Sequence, residues 1–289
     1  MKKFFALLLS TIFMIGIFNV SLNVSAKEEE STATTDRSEV LDYLEDSSIK
    51  QFANTPEGKA AYENVKNNAV KVSKSDTYVR FDTLNQDNEP ISFDEKQYNE
   101  QLVNQKMRRS MSSNSGNRYS WIKLTVEAYG FNDGSYMFCG FFNWLTKPFF
   151  TGNDVIALGH DSSIVFNTDS TFGYYQCEYM TSASGKTDLS FYHFDFAQDK
   201  TNTTATTTGV GAKFKLQHTQ DSYPAVHSGA IYCNGWLNAS KGNLQVSYGH
   251  SQLSINTSIS ASITWLPSGA IKFDVRGDQD MATHGNYVD

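Results

Sequence analysis

Six histidines, three cysteines and a scatter of carboxylates are the side chains in these 289 residues with the chemistry for metal binding or covalent catalysis. Their spacing supplies little of it. His160, His193, His218, His227, His250 and His284 include no H-x-x-x-H or H-x-H pair. A metal would therefore need ligands converging from separate segments, with His160-Asp161 and His250 as the best donors. A hydrogen-bonded core histidine is the simpler reading of His250, which shares its parity with Leu244, Val246 and Tyr248. Cys139, Cys177 and Cys233 are odd in number and widely spaced. They read as buried, inert thiols, with one disulfide plus a free thiol as the alternative. There is no G-x-S-x-G elbow, P-loop, dinucleotide fingerprint or local cysteine-protease signature. Glu127, Asp154, Glu178 and Asp195 are the carboxylates from which a glycosidase pair would be drawn, although Asp154 follows Gly152-Asn153 and suits a turn. The sequence thus points to no catalytic residue, no metal ligand and no cofactor.

Recognition has a better argument, and aromatic rings carry it. In Trp121–Tyr129 the residues Ile122, Leu124, Val126 and Ala128 share one side of a strand, with Trp121 and Tyr129 on the other. Tyr232, Asn234 and Trp236 likewise oppose Ile231, Cys233 and Leu237. Rings on a wet strand face offer rigid contact area at low entropic cost, so Trp121, Tyr129, Tyr232 and Trp236 form a candidate platform for a sugar face or a protein partner. The competing reading covers the same rings with a second sheet's edge or with N-terminal helices.

These rings need strands to hold them. Trp121–Tyr129 and the doubly apolar run Tyr136–Leu145 flank Asn132-Asp133-Gly134 and read as a hairpin closed by Lys147-Pro148. Further strands are expected near Asp154–Leu158, Ser163–Phe166, Phe172–Met180, Asp188–Phe196, Val210–His218, Ala225–Leu237, Leu244–His250, Gln252–Leu266 and Gly269–Val275, the spacing of a sandwich or barrel. Gln252–Leu266 alternates most cleanly, Leu253, Ile255, Ile259, Ala261, Ile263 and Trp265 against Ser, Asn and Thr, and Pro267-Ser268-Gly269 turns it into a hairpin partner. The threonine-rich Thr201–Gly211 lacks apolar anchors and reads as a mobile loop or a polar edge.

The leader reads differently. Met1-Lys2-Lys3, an apolar run to Val20 and Val24-Ser25-Ala26 before Lys27-Glu28 have the parts of a secretory signal peptide cleaved after Ala26. Residues 27–117 read as a short helical region or pro-segment. It has a capping box at Asp36, a helix from Thr55-Pro56 carrying Ala61, Val65, Ala69 and Val72 on one face, another capping box at Ser92 and Glu95, and a Ser/Asn/Gly linker after Arg108-Arg109. Without Lys2 and Lys3, 22 basic residues face 31 acidic ones. That balance disfavours nucleic acid, and after signal cleavage no stable membrane span is expected.

Trp144-x-x-x-Pro148, Asp154-Val155-Ile156-Ala157-Leu158 and Tyr248-Gly249-His250 behind such a leader are similar to uncharacterised secreted all-β proteins of Gram-positive bacteria. The resemblance covers the β part and implies no activity. The expectation is an exported, all-β sandwich-like antiparallel domain over residues 118–289, behind a signal peptide and a short α-helical N-terminal region. It would act as a non-enzymatic recognition module for an extracellular or envelope glycan or protein. The alternatives are a membrane-active, toxin-like β protein, whose strands pair a Ser/Thr face with an apolar one, and a secreted hydrolase with a strand-borne site.

Overall fold

The computed structural model describes residues 37–45, 47–82, 90–111, 119–148, 151–180, 187–218, 225–251, 262–265, 271–274 and 279–289. The signal-peptide reading and the Ser/Asn/Gly linker lie outside them, as do residues 252–261, 266–270 and 275 of the hairpin expected over Gln252–Val275.

Two antiparallel sheets face each other. The larger, with strand order β2-β1-β3-β4-β10-β6-β7, contains β1 (Ala69–Asp82), β2 (Ile91–Phe93), β3 (Tyr119–Phe131), β4 (Ser135–Trp144), β6 (Ile164–Met180), β7 (Thr187–His193) and β10 (Ala225–Leu237). The smaller has the order β14-β11-β5-β9-β8, from β5 (Asn153–His160), β8 (Thr203–Thr206), β9 (Gly209–Lys215), β11 (Gly242–Ser251) and β14 (Gln279–Val288). Between them lies an aromatic-rich core that includes Ile122, Leu124, Val126, Ala128, Phe138, Phe142, Ile156, Leu158, Phe214, Val246 and Tyr248. The alternation of β3 therefore points its aliphatic side inward, as its period of two demands. The β3–β4 hairpin turns on Asn132-Asp133-Gly134, where Gly134 has φ +79° and a side chain would strain the backbone.

The N-terminal region supplies both helices and a strand that pack on, and pair with, the strands after residue 118. Helices α1 (Arg37–Glu45), α2 (Ser48–Gln51) and α3 (Pro56–Asn68) lie on the outer face of the larger sheet, where Val40, Leu44, Ile49, Phe52 and Val65 close over Tyr129, Met137, Cys139, Phe141, Tyr174 and Tyr232. Thr55 caps α3 by accepting a 3.1 Å bond from the Gly58 amide. The helix expected to run on through Val72 stops at Asn68, and the chain becomes β1, which pairs with β3 from Ala69↔Phe131 to Asp82↔Tyr119. Strands from either side of the boundary expected at residue 118 therefore pair in one sheet. The capping box falls two residues later than Ser92: Asp94 accepts from the Gln97 amide at 2.7 Å, and the Gln97 side chain accepts from the Asp94 amide at 3.0 Å, opening α4 (Glu95–Met111).

Two strands expected around 163–180 are one, β6, with a register jump from Tyr232↔Phe172 to Asn234↔Asn167. The threonine-rich segment contributes β8, a polar edge rather than a loop. Strands β12 (Ser262–Trp265) and β13 (Ile271–Asp274) pair with each other and belong to neither large sheet.

Candidate functional site

The helical layer decides which rings are free. Tyr129 and Tyr232 are fully buried beneath it. Tyr129 packs against Tyr43 of α1, and Tyr232 meets Phe52 edge-on and stacks on Phe172. Trp121 is also enclosed, packed against Tyr98 of α4 and Phe93 of β2. The expectation that these three rings stand on a wet face is therefore corrected: they oppose the inter-sheet core as parity requires, but helices cover that side too. Trp236 is different. It is 46% exposed, because α1–α3 reach over β10 as far as Tyr232 and leave Asn234 and Trp236 uncovered on the same side of the strand.

Beside them opens a cleft of about 540 Å³ between α3 and the β3–β4 hairpin. Its polar lining is Arg37 of α1, Asn64, Asn67 and Asn68 of α3, Asn132, Asp133 and Ser135 of the hairpin, and Asn234 of β10. Ser135 is the register partner of Trp236, which places the ring at the cleft's edge. Hydrogen bonds from the Ser135 hydroxyl (2.6 Å) and amide (3.0 Å) hold Asp133 below the usual carboxylate range, so it is anionic at neutral pH. Asn68 donates to Asn64 at 2.8 Å, orienting one amide pair on the α3 surface. The register jump in β6 adds a further anchor, since the Asn234 amide donates to Ser170 Oγ at 2.9 Å. The sequence shows the signal for this cleft only in part. Trp236 and Asn234 stand out by parity, whereas Asn64, Asn67 and Asn68 read as a solvated helix face and Asn132-Asp133 as a turn.

The carboxylates and histidines weighed for catalysis or metal binding are mostly engaged elsewhere. Glu127, fully buried, accepts from Tyr129 Oη (2.8 Å), the Ser48 amide (3.1 Å), Tyr43 Oη (3.3 Å) and the Ser48 hydroxyl. Burial pushes its pKa up, opposed by the Ser48 hydroxyl, Lys74 and Tyr129. Because its folded pKa lies above its unfolded one, its contribution to stability is complete below about pH 4.5 and fades as pH rises. Glu127→Gln, which keeps an acceptor, is expected to gain on the native protein in melting temperature between pH 5 and 8. Glu127→Ala should lose about 2–4 kcal/mol by orphaning the Ser48 amide and two tyrosine hydroxyls. Thermal melts of both across that range check this.

Asp154 and His250 do come together, inside the sandwich: His250 Nδ1 lies 3.0 Å from Asp154 Oδ2, and Tyr248 Oη, which accepts from Trp144 Nε1 at 3.0 Å, donates to the same carboxylate. All are buried, which makes this a structural network. His160 Nδ1 sits 2.6 Å from the Asp161 carbonyl, a strand-end contact. Asp195 caps a turn through the Ala197 and Gln198 amides, and Glu178 lines a second, polar hollow with Asp188 and Gln176. The three cysteines are buried and unbridged. Burial raises all three thiols, Cys177 and Cys233 to about 11.

The sequence matches no family description and no curated protein. Among solved structures, similar chains include the collagen-binding subdomain of the Enterococcus faecalis surface protein ACE (11% identity, TM-score 0.26, covering 52% of this chain and 84% of that one) and the collagen-binding domain of a Staphylococcus aureus adhesin (10%, 0.24, 51% and 86%). Clostridium perfringens delta-toxin is another (6%, 0.29, 76% and 90%). At these TM-scores nothing is carried over to the present chain, whose architecture is that of a two-sheet, mainly antiparallel β fold.

Proposed function

We propose that this chain is an extracellular recognition module that holds a glycan of the cell envelope in the cleft beside Trp236. One observation carries the reading: a half-exposed tryptophan stands two residues from Asn234 on an uncovered strand face, at the rim of a cleft lined with side-chain amides, one arginine and one ionised aspartate. Sugars present an apolar C–H face and a ring of hydroxyls. An indole takes the first, and fixed amides and charged groups take the second as donors and acceptors at once. A ligand of this kind needs no titrating group, which agrees with a lining whose chemistry is hydrogen bonding.

The test is retention on purified peptidoglycan sacculi. Trp236→Ala should weaken binding at least tenfold while its melting temperature stays within about 2 °C of the native protein's, since an exposed ring contributes little to the core. Asn234→Ala should weaken binding less. Unchanged retention of Trp236→Ala would remove the platform.

A further inference from the structure

We propose that β7 is a dimerisation edge, at which a second copy of this chain adds its own β7 antiparallel and joins the two larger sheets into one. Sheets with long open edges aggregate unless the edge is short, charged, bulged or covered. Among the described residues, three of the four edges of the two facing sheets are managed. β2 and β8 are three and four residues long, and β14 lies against β1, whose Ser73 hydroxyl donates to the Tyr287 carbonyl at 3.1 Å. β7 has no such protection. Thr187–His193 pairs with β6 from Tyr174↔His193 to Met180↔Thr187 without a bulge, and among the described residues no strand pairs with its other side. Its residues are exposed except Ser190, which is half-buried, and they include no Lys, Arg or Pro. Leu189, Phe191 and Tyr192 are large apolar side chains left in solvent. Val226, also exposed, continues the patch, because Val226 and Leu189 both pair with Glu178.

The order of residues along β7 selects the occupant. The Phe194 amide donates to the Gly173 carbonyl at 2.9 Å, so the even-numbered residues turn their backbone groups to β6, and Thr187, Leu189, Phe191 and His193 turn theirs outward. Phe191 packs on Tyr174 of the outer cluster at 4.9 Å, whereas Phe194 lies in the inter-sheet core. Leu189 and Phe191 therefore share the outer face, and Asp188, Ser190 and Tyr192 the inner one. A twofold axis at Ser190, the middle residue, pairs the whole strand with itself. It sets Leu189 against Phe191 of the second copy, Thr187 against His193 and Asp188 against Tyr192. Outward backbone groups then meet outward groups in up to about eight ladder hydrogen bonds, apolar side chains meet on the outer face, and the one carboxylate opposes a neutral ring rather than its own copy. The Leu189 amide, held in the single chain by the Asp188 carboxylate at 2.9 Å, passes to a carbonyl of the second copy. The contact is isologous and closes at two chains. It is also narrow, at the small end of interface sizes, which sets the association at roughly micromolar strength. Trp236 lies about 33 Å along β10 from Val226, so a dimer leaves both glycan clefts open and presents them together.

The test is analytical sedimentation of the full chain from about 1 to 200 µM, over which wild type should pass from monomer to dimer and go no further. Leu189→Lys places a charge on the edge without touching the core. It should weaken dimerisation at least about tenfold and melt within about 2 °C of wild type. Trp236→Ala should dimerise like wild type, so failure here and failure of the glycan cleft are read separately. Cross-linking reads the register. Under a mild oxidant, an equal mixture of Leu189→Cys and Phe191→Cys chains should give disulfide-linked mixed dimers, because directly paired Cα atoms lie about 5.5 Å apart. Leu189→Cys alone should give at least about tenfold fewer, since its two copies sit on a diagonal of about 7–8 Å. The native thiols are buried and do not compete. This readout stands even if Leu189→Lys melts early. A wild type that stays monomeric at about 200 µM overturns the proposal and leaves the edge to an extended segment of another protein. Cross-linking of Leu189→Cys alone as efficient as that of the mixture overturns it as well.

Discussion

A chain lacking residues 27–109 is expected to be insoluble, and adding the 27–109 fragment back during refolding is expected to restore a soluble complex. The removed segment carries Val40, Leu44, Ile49, Phe52 and Val65 of the outer cluster together with Val72, Val79 and Phe81 of β1, each at most 5% exposed. At roughly 1.5–3 kcal/mol per large apolar side chain buried, these eight alone contribute about 12–24 kcal/mol, more than the 5–15 kcal/mol by which a typical domain is stable. Removal also strips β3 of thirteen register partners and leaves a long apolar edge, the usual seed of aggregation. Phe52 concentrates the effect. It stacks on Tyr174 at a centroid distance of 5.6 Å and meets Phe141 and Tyr232 edge-on. Phe52→Ala should therefore cost about 3–5 kcal/mol and open the outer face to a hydrophobic dye. The measurements are soluble yield, far-UV circular dichroism and melting of the 110–289 fragment alone. A cooperative melt within a few degrees of the whole chain's would show that the leader is dispensable and return the pro-segment reading to favour. A proteolytic nick near Arg109, by contrast, should leave the two parts associated.

The residues of β1 and β14 explain why so much of this organisation was hidden. A strand announces itself when one side is apolar, and the inward side of β1 starts with Ser73 and Ser75. Those serines face β14, not aliphatic core: Asn286 donates to Ser73 Oγ at 2.8 Å, Ser73 Oγ donates to the Tyr287 carbonyl at 3.1 Å, and His284 Nε2 lies 2.7 Å from Ser75 Oγ. A polar seam between sheets erases the alternation of both strands at once, so Ala69 and Val72 read as the end of a helix and neither 73–82 nor 279–288 reads as a strand. Where a strand is apolar along most of its inward side, as in β3, β4, β5 and β10, the element is legible to within about two residues. The ring platform failed for a related reason. Parity places Trp121, Tyr129 and Tyr232 opposite the core, but it does not say whether a second layer covers that side, and short helices supply one from a distant stretch of chain. Trp236 stays free because the layer ends at Tyr232, and no local pattern marks where a layer ends.

The second large effect follows from His227, which is fully buried in β10. Burial pulls its pKa down to about 4, with Asp154 opposing and Lys147 and His250 assisting. Its Nδ1 lies 2.9 Å from Tyr175 Oη, and that hydroxyl accepts the Gln217 amide at 2.7 Å. The sign follows. The unfolded chain binds this proton near pH 6.5 and the folded chain resists it until about pH 4, so stability falls as pH drops through that window. At pH 5 the loss amounts to about 2 kcal/mol, or roughly 4–8 °C in melting temperature for a chain of this size. His227→Gln, which keeps an acceptor for Tyr175, should be flatter than the native protein between pH 7 and pH 5 by that amount. Glu127 bends the curve the other way, because its buried carboxyl is easiest to keep at low pH. The difference between the two melts, not the native curve alone, isolates the histidine. Parallel curves for His227→Gln and the native protein would mean that the ring is protonated as readily inside the sandwich as outside it and would overturn this assignment.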